Sequence, residues 1–320
     1  MITVVVPLYN KAAHIERALR SIQRQTYEPA EVIVVDDGST DGGGDIVRLF
    51  EMKGLRLISQ KNLGVSAARN RGMSEAGTDL IAFLDADDEW LPSHLDTLVR
   101  LFRAFPDKGL YSTMHFIRDG IEFFEPASPF SENDGFCLVE DFFGSFAAGL
   151  SLVNSTTAAV PRMMALAEGG FPAGVRRGED IILWTRLFLT AGMAHAPFRT
   201  AIYHRDAINR SIHLREQEPP GSLVYLAKML SEHGLPHAHI DSARLLFEKI
   251  SFFTAAGMKV SGDVAGLRAI RRLAQTAGSI RLRLGLAILE FTPATVLQRA
   301  RKFRHKSAPT KLTGVGACAE

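Results

Sequence analysis

The chain opens on an unbroken β-branched run, Ile2-Thr3-Val4-Val5-Val6, the pattern of a strand buried on both faces of a parallel sheet. Pro7 reads as its end. Ala12 to Gln25 follows, with Ile15, Ala18, Leu19 and Ile22 at helical spacing. The two periods then alternate. Strands are expected at Glu31 to Val35, Leu55 to Ile58 and Asp79 to Leu84, and helices at Asp45 to Met52 and Val65 to Ala76. Such short alternation predicts βαβ units and a mostly parallel sheet, an α/β architecture.

The pattern then becomes less regular. Ser93 to Phe105 reads as a helix with Leu95, Leu98, Val99 and Phe102 inward. Residues 109–136 begin strand-like and aromatic and turn Pro-, Ser- and Asn-rich between Pro126 and Gly135, which predicts an irregular excursion. Thr156 to Val160 reads as a strand, Arg162 to Ala167 as a short helix and Gly169-Gly170-Phe171-Pro172 as a turn. Glu179-Asp180 opens a helix whose apolar face is Ile182, Trp184, Leu187 and Phe188. Phe198 to Arg205 is the last expected strand, ending in Tyr203-His204-Arg205. Residues 220–305 read as helical, in segments Leu223 to His233, Asp241 to Ala256, Val264 to Thr276 and Thr295 to Arg304. Ile280 to Leu284 alternates with period two, which fits a strand or a helix. The small-residue, Gly-rich stretch after Ser307 is expected to be disordered.

Polar residues gather where these strands end. Asp36-Asp37-Gly38-Ser39-Thr40-Asp41 follows the second strand, and Asp85-Ala86-Asp87-Asp88 follows the apolar run Leu80 to Leu84. Crowded carboxylates repel, so they need a compensating cation or solvent. Hard oxygen ligands spaced this way suit Mg²⁺ or Mn²⁺, completed by phosphate oxygens. An acidic turn facing solvent would look the same taken alone. Ligands of parallel α/β sheets bind beyond the carboxyl ends of the strands, and both acidic clusters sit there. Gly64 opens the third helix, whose second turn holds Arg69 and Asn70; its amide groups, Arg69 and nearby Lys61 are candidates to meet phosphate. The alternative for Arg69 is a surface position on an amphipathic helix. At Glu179-Asp180 the plain alternative is acids complementing a helix dipole.

Composition, charge and the run of apolar residues add further restrictions. With 320 residues, 46% hydrophobic and 22% charged, the chain is globular and large enough for a main domain and a smaller one. The net charge of +2 is unevenly divided: residues 1–219 carry 22 Lys/Arg against 29 Asp/Glu, and residues 220–320 carry 15 against 6. Cys137 and Cys318 make neither a disulfide framework nor a metal cluster, which fits a reducing cytosol. A strand pattern follows Met1 almost at once, so no signal peptide is expected. The charge-free run Phe142 to Val160 carries Ser145, Ser151, Asn154, Ser155, Thr156 and Thr157, and reads as buried structure in place of a membrane span.

Taken together, these motifs resemble family 2 glycosyltransferases with the GT-A fold. The matching stretches are Val5 to Asn10, Val34 to Asp41, Asn62-Leu63-Gly64 through Ala68-Arg69-Asn70, Phe83 to Asp88, and Gly169-Gly170-Phe171 with Gly178-Glu179-Asp180. They stand in the family's order across about residues 1–212. A last family segment is matched loosely, by Tyr203-His204-Arg205 and Arg210-Ser211-Ile212-His213. The resemblance implies a catalytic domain over 1–215, to which the residue pattern adds a helical region over 216–306 and a tail over 307–320. It further implies a nucleotide-diphosphate sugar donor, a UDP-sugar being favoured, a divalent metal, Mg²⁺ or Mn²⁺, and inversion at the anomeric carbon. Pro7, Tyr9, Asp36, Asp37 and Arg69 would hold the nucleoside, with Asp36 or Asp37 accepting from the base. Asp85 would reach ribose or the metal shell, Asp87 would bind the metal and Asp180 would be the general base. Glu179, Lys61, Asp88 and His204 are further candidates.

The expected acceptor is a saccharide or a lipid-linked one, in bacterial cell-surface polysaccharide or glycolipid synthesis, met by the excursion after Gly109. No nucleic-acid partner is expected, and the expected location is cytoplasmic, peripheral to the inner face of the membrane where the basic end Arg299, Arg301, Lys302, Arg304 and Lys306 meets anionic lipid. The same basic run also fits a solvated helical face. A nicotinamide dehydrogenase needs G-x-G-x-x-G after the first strand, where this chain has Pro7-Leu8-Tyr9-Asn10-Lys11. A nucleotidyltransferase needs a Gly-rich, basic loop at the same turn. The remaining alternative is a non-catalytic, sugar-nucleotide-binding subunit, against which Asp87 and Asp180 stand.

Overall fold

The structure, a computed structural model, describes residues 1–207 and 218–297. Its first quarter builds β1 (Ile2–Leu8), α1 (Ala12–Gln23), β2 (Glu31–Asp36), α2 (Gly43–Leu49), β3 (Leu55–Ser59), α3 (Val65–Glu75) and β4 (Leu80–Phe83). Next come β5 (Glu89–Trp90), α4 (His94–Ala104), β6 (Leu110–Asp119), β7 (Glu122–Phe124), β8 (Cys137–Val139), α5 (Phe142–Ala148), β9 (Ala158–Pro161), α6 (Arg162–Ala167), α7 (Glu179–Ala191) and β10 (Met193–His204). Among the described residues the α-helices that follow are α8 (Gly221–Ser231), α9 (Ile240–Ser261), α10 (Val264–Thr276) and α11 (Ile280–Phe291).

The strands form one sheet in the order β3-β2-β1-β4-β9-β6-β10-β5, with β7 beside β6 and β8 beside β10. Pairing is parallel through β3, β2, β1 and β4, and again between β6 and β10; β9 lies antiparallel between β4 and β6. The chain runs outward from β1 through β2 to β3, then returns to place β4 on the other side of β1. The crevice beyond the ends of β1 and β4 is therefore the switch point where open α/β sheets bind ligands.

Alternate side chains of each strand feed two cores. Val5, Ile33 and Val35 point to the side of α3, α5 and α7, whereas Val4, Val6, Val32 and Val34 point to α1 and α4. Each is fully buried, which is worth about 1.5–3 kcal/mol per side chain relative to exposure. α3 lies so close to β1 that a Cβ on Gly72 would meet Val5 Cγ1 at 2.3 Å. The helices α8–α11 share the first core: Leu223, Leu226, Phe247 and Ile270 belong to the same cluster as Phe142, Leu183 and Trp184.

Several expectations shift. β1 does not end at Pro7 but continues to Leu8, with Pro7 paired to Val35. The Val5 carbonyl accepts from Leu84 N on the β4 side, so the missing N–H of Pro7 would point the same way, past the end of β4 where no ladder bond is lost. β10 starts five residues before the expected Phe198, because Met193 to His195 pair with β6 and β8 together. Its irregularity between Ala196 and Arg199 coincides with Pro197, which hid the strand in the sequence. Residues 109–136 hold the β6–β7 hairpin before the irregular stretch. Ile280 to Leu284 is helical: Ser279 caps Leu282 N, and Leu282, Leu286 and Leu289 bury one face at helical spacing. No helix among the described residues is long and apolar enough to cross a membrane. Residues 298–304 of the expected last helix, the basic end, the tail after Ser307 and the Arg210 to His213 segment lie outside the described residues.

Candidate active site

The ends of β1 and β2 are laced into one rim. Ser39 Oγ accepts from Asn10 N at 3.1 Å, Asn10 Oδ1 accepts from Thr40 N at 2.8 Å, and Asp41 accepts from Ala12 N at 2.8 Å. Asn10 sits at φ 51°, a left-handed position that asparagine tolerates. Pro7 and the half-exposed Tyr9 stand on this rim. The two neighbouring aspartates divide their work. Asp36 accepts one bond from Ser39 N. Asp37 is buried and accepts three, from Gln60 Nε2 (2.8 Å), Leu63 N (2.9 Å) and Gly64 N (2.8 Å). Asp37 thus fixes the turn that launches α3, and its carboxylate is largely spent on that turn. Lys61 lies exposed on the same loop.

Arg69 is not a surface arginine. It is buried under the crevice, donating from Nη2 to Asp85 Oδ1 (2.7 Å) and from Nη1 to Glu179 Oε1 (3.0 Å), with its guanidinium 5.1 Å from the centre of the Phe171 ring. Burial alone would lower its pKa, but the carboxylates of Asp85 and Glu179 outweigh that and raise it. Asn70 holds Phe171 by accepting from its N–H (2.8 Å) and donating to its carbonyl (2.7 Å). The Gly-Gly-Phe turn is thereby tied to α3.

α7 brings the second acidic pair in. Gly178, at φ 76°, precedes it, and a Cβ there would meet Ser222 Oγ at 2.4 Å, so only glycine lets α8 pack against this turn. Glu179 is buried on Arg69, while Asp180 remains partly exposed and accepts from Ile181 N at 2.8 Å. Both carboxyls are raised above the usual range. For Glu179 burial is the main cause, with the Asp180 charge adding to it and Arg69 opposing. For Asp180 burial again leads, Arg69 opposes and Asp85 adds.

The loop after β4 splits its carboxylates three ways. Asp85 faces Arg69. Asp87 Oδ2 accepts from Lys11 Nζ at 2.6 Å, and the Asp87 carbonyl accepts from Arg17. Asp88 turns inward, accepting from Thr156 Oγ1 and from His204 N (2.9 Å); burial, then the charges of Asp87 and Asp85, push its pKa well up. His204 is buried at the end of β10, its Nε2 2.8 Å from Glu89 Oε1. Asp88 and His204 therefore bind the loop to β10, and the crevice keeps Asp85 and Asp87. Lys11, Thr156 and Phe171 were not singled out as site residues; Lys11 follows the Pro7 to Asn10 motif and Phe171 belongs to the Gly-Gly-Phe turn, which are the signals they left.

Among the described residues no group of three or more His, Cys, Asp or Glu side chains is placed to hold a metal. The donors present fit a different mode, in which one or two carboxylates hold a small hard cation and phosphate oxygens complete the shell. Asp87 and Asp85 supply that chemistry, and the Lys11 ammonium against Asp87 shows that the position takes positive charge.

The open α/β sheet, the acidic crevice at its switch point and the helices that follow agree with the GT-A fold that the sequence resemblance implies. The family model "Glycosyl transferase family 2" matches residues 3–165, and the chain belongs to that family. The chain is 41% identical over 101 residues to "Glycosyltransferase GlyA" of Streptococcus pneumoniae serotype 4, covering 31% of this chain and 14% of that protein. It is 33% identical over 156 residues to "Amylovoran biosynthesis glycosyltransferase AmsB" of Erwinia amylovora, covering 45% of this chain and 51% of that one. The chain thus spans less than two thirds of the length of either relative. The crystal structure of S. aureus TarS 1-349 in complex with UDP-GlcNAc superposes with a TM-score of 0.69 at 16% identity, covering 98% of this chain and 99% of that chain.

Proposed function

We propose that the chain transfers a sugar from a nucleoside-diphosphate sugar to an acceptor hydroxyl, with inversion, in the building of a bacterial surface polysaccharide or glycolipid. The observation that carries this reading is the pair Asp85 and Asp87 at the end of β4, with Asp180 near enough to Asp85 and Arg69 to feel their charges. A UDP-sugar donor is favoured by the UDP-GlcNAc that the TarS structure names, and a polysaccharide product by the name of the amylovoran enzyme. Pro7, Tyr9 and Asp36 line the rim assigned to the nucleoside, with Asp37 and Arg69 holding its walls. Lys61, exposed on the loop before α3, is assigned to the phosphates.

The acceptor oxygen attacks the anomeric carbon as the bond from that carbon to the diphosphate breaks, and Asp180 takes the hydroxyl proton. One displacement needs one base and no covalent nucleophile. Asp180 suits this role better than Glu179, since Glu179 is buried against Arg69 whereas Asp180 is partly exposed. Asp87, joined by Asp85, would hold Mg²⁺ or Mn²⁺; bound there, the ion supplies Lewis-acid stabilisation to the leaving diphosphate. Lys11 must then yield its hold on Asp87.

The proposal divides the chain into a catalytic domain over 1–215, a helical region over 216–306 and a tail over 307–320. It places the enzyme in the cytoplasm, touching the inner membrane face peripherally through its C-terminal region. A thermal-shift panel of UDP-, GDP- and dTDP-sugars with Mn²⁺ tests the reading. A donor at one hundred times its Kd adds about 2.7 kcal/mol of stability, a readable rise in melting temperature. The UDP-sugars should give it, and Asp87→Asn should lose the metal-dependent part. No shift from any donor overturns the proposal; an equal shift with and without EDTA removes the metal from it.

A further inference from the structure

α11 is apolar on two opposite faces. Leu282, Leu286 and Leu289 are buried against the other helices, as expected of a packed helix. The opposite face should then be polar, and it is not. Ile280, Leu284, Ile288 and Phe291 stand there with 70%, 62%, 71% and 86% of their surface exposed. Their spacing of four, four and three residues places them in one stripe. Ala287 lies within that stripe and is also exposed. Arg281 and Arg283, both exposed, fall on its two flanks, about 100° per residue around the helix.

We propose that this outer face of α11 enters the head-group boundary of an anionic phospholipid membrane. The inference rests on the peripheral contact proposed above and locates it. An apolar stripe flanked by arginines is the pattern of a helix lying in a membrane interface, its side chains in the acyl boundary and its cations at the head groups. Charge complementarity selects an anionic surface. Three further cations, Lys259, Arg268 and Arg271, together with the acid Glu290 line a cleft of about 340 Å³ beside Leu286 and Leu289, with Lys259 donating to the Leu289 carbonyl. Arg271 reaches Glu290, which lies on the Arg283 flank of α11. The sequence that follows the described helices carries Arg299, Arg301, Lys302, Arg304, Lys306 and Lys311 against the single acid Glu320. Each basic residue near such a surface adds about 1 kcal/mol of attraction within a Debye length.

Sedimentation of the full-length chain with vesicles decides the matter. Equimolar phosphatidylcholine and phosphatidylglycerol vesicles should carry the protein down, and phosphatidylcholine vesicles should not. Leu284→Asp with Ile288→Asp should weaken partition at least about ten-fold, since two buried apolar side chains are replaced by charges the surface repels. The donor-induced thermal shift and the gel-filtration volume should stay at parental values. A second variant, with Arg299, Arg301, Lys302, Arg304 and Lys306 changed to Gln, separates the tail from the helix. If the aspartate variant binds like the parent while the glutamine variant has lost binding, the peripheral contact stands and the α11 inference is wrong. If the parent stays in the supernatant with both vesicles, both are wrong. If the aspartate variant elutes as a smaller species than the parent, the stripe is an interface between copies, and the inference is again overturned.

Discussion

At the carboxyl edge of the sheet Arg69 is buried between Asp85 and Glu179, whereas on α11 Arg281 and Arg283 stand in solvent on either side of Leu284 and Ile288. The first region takes charge out of water and the second leaves hydrocarbon in it. Each departs from the usual arrangement, and each departure has a different support. Burying an ion pair carries a desolvation penalty that mutual attraction offsets only in good geometry. Here the geometry comes from the backbone: β4 delivers Asp85, α3 delivers Arg69 and the N-terminus of α7 delivers Glu179. On α11 nothing among the described residues covers the apolar stripe, and the proposed membrane contact would supply its support. The contrast separates residues that organise the interior of the site from residues that present a surface.

The largest expected effect is on the buried network. Arg69→Ala leaves two carboxylates without their cation and should cost about 3–5 kcal/mol of stability, read as a lowered denaturation midpoint. A loss below about 1 kcal/mol would put the pair in the class of surface ion pairs. Next is the base. Asp180→Asn should lower turnover at least about 10²-fold while donor affinity stays close to parental, because the base touches the acceptor. If Glu179→Gln lost turnover and Asp180→Asn kept it, the roles within the pair would be reversed.

The acidity of the pair gives a finer test. A base must be ionised to accept a proton, so turnover should fall as pH is lowered. Burial raises the Asp180 carboxyl and Asp85 adds to the shift, so the midpoint of that fall should lie above the ordinary aspartate value of about 4. Asp85→Asn removes one like charge and should move the midpoint down, whatever it does to donor affinity. A midpoint at the ordinary value would mean that Asp180 is solvated during the reaction. The smallest effect belongs to α11. Leu284→Ser changes a side chain that is 62% exposed, so stability should change by less than about 0.5 kcal/mol. A larger loss in dilute solution would show that the stripe is already covered by protein.

Much of the crevice was legible because its residues sit in local patterns. Asp85 and Asp87 end an apolar strand, Asp36 and Asp37 end another, and Glu179-Asp180 opens an apolar helix. What each carboxylate does was not legible. Asp37 and Asp88 look no different from Asp36 and Asp87 along the chain, yet the first pair are held by Leu63 N, Gly64 N, Thr156 and His204 N from distant segments. Glu179 lies 110 residues from Arg69, and no local period encodes that meeting.

The sequence by itself determined the alternation of strands and helices through residue 105, the acidic ends of the strands and the family, because side-chain period and β-branching act over neighbouring residues. Tertiary structure alone decided the rest. It carried β1 through Pro7 because β4 stops short there, and it extended β10 through an alanine- and proline-containing stretch because two neighbouring strands pair with it. It turned Ile280 to Leu284 into a helix because Leu282, Leu286 and Leu289 could be buried together only at that period. It also chose which carboxylates close the loops and which face the crevice, because buried polar groups take the partners that folding brings within reach.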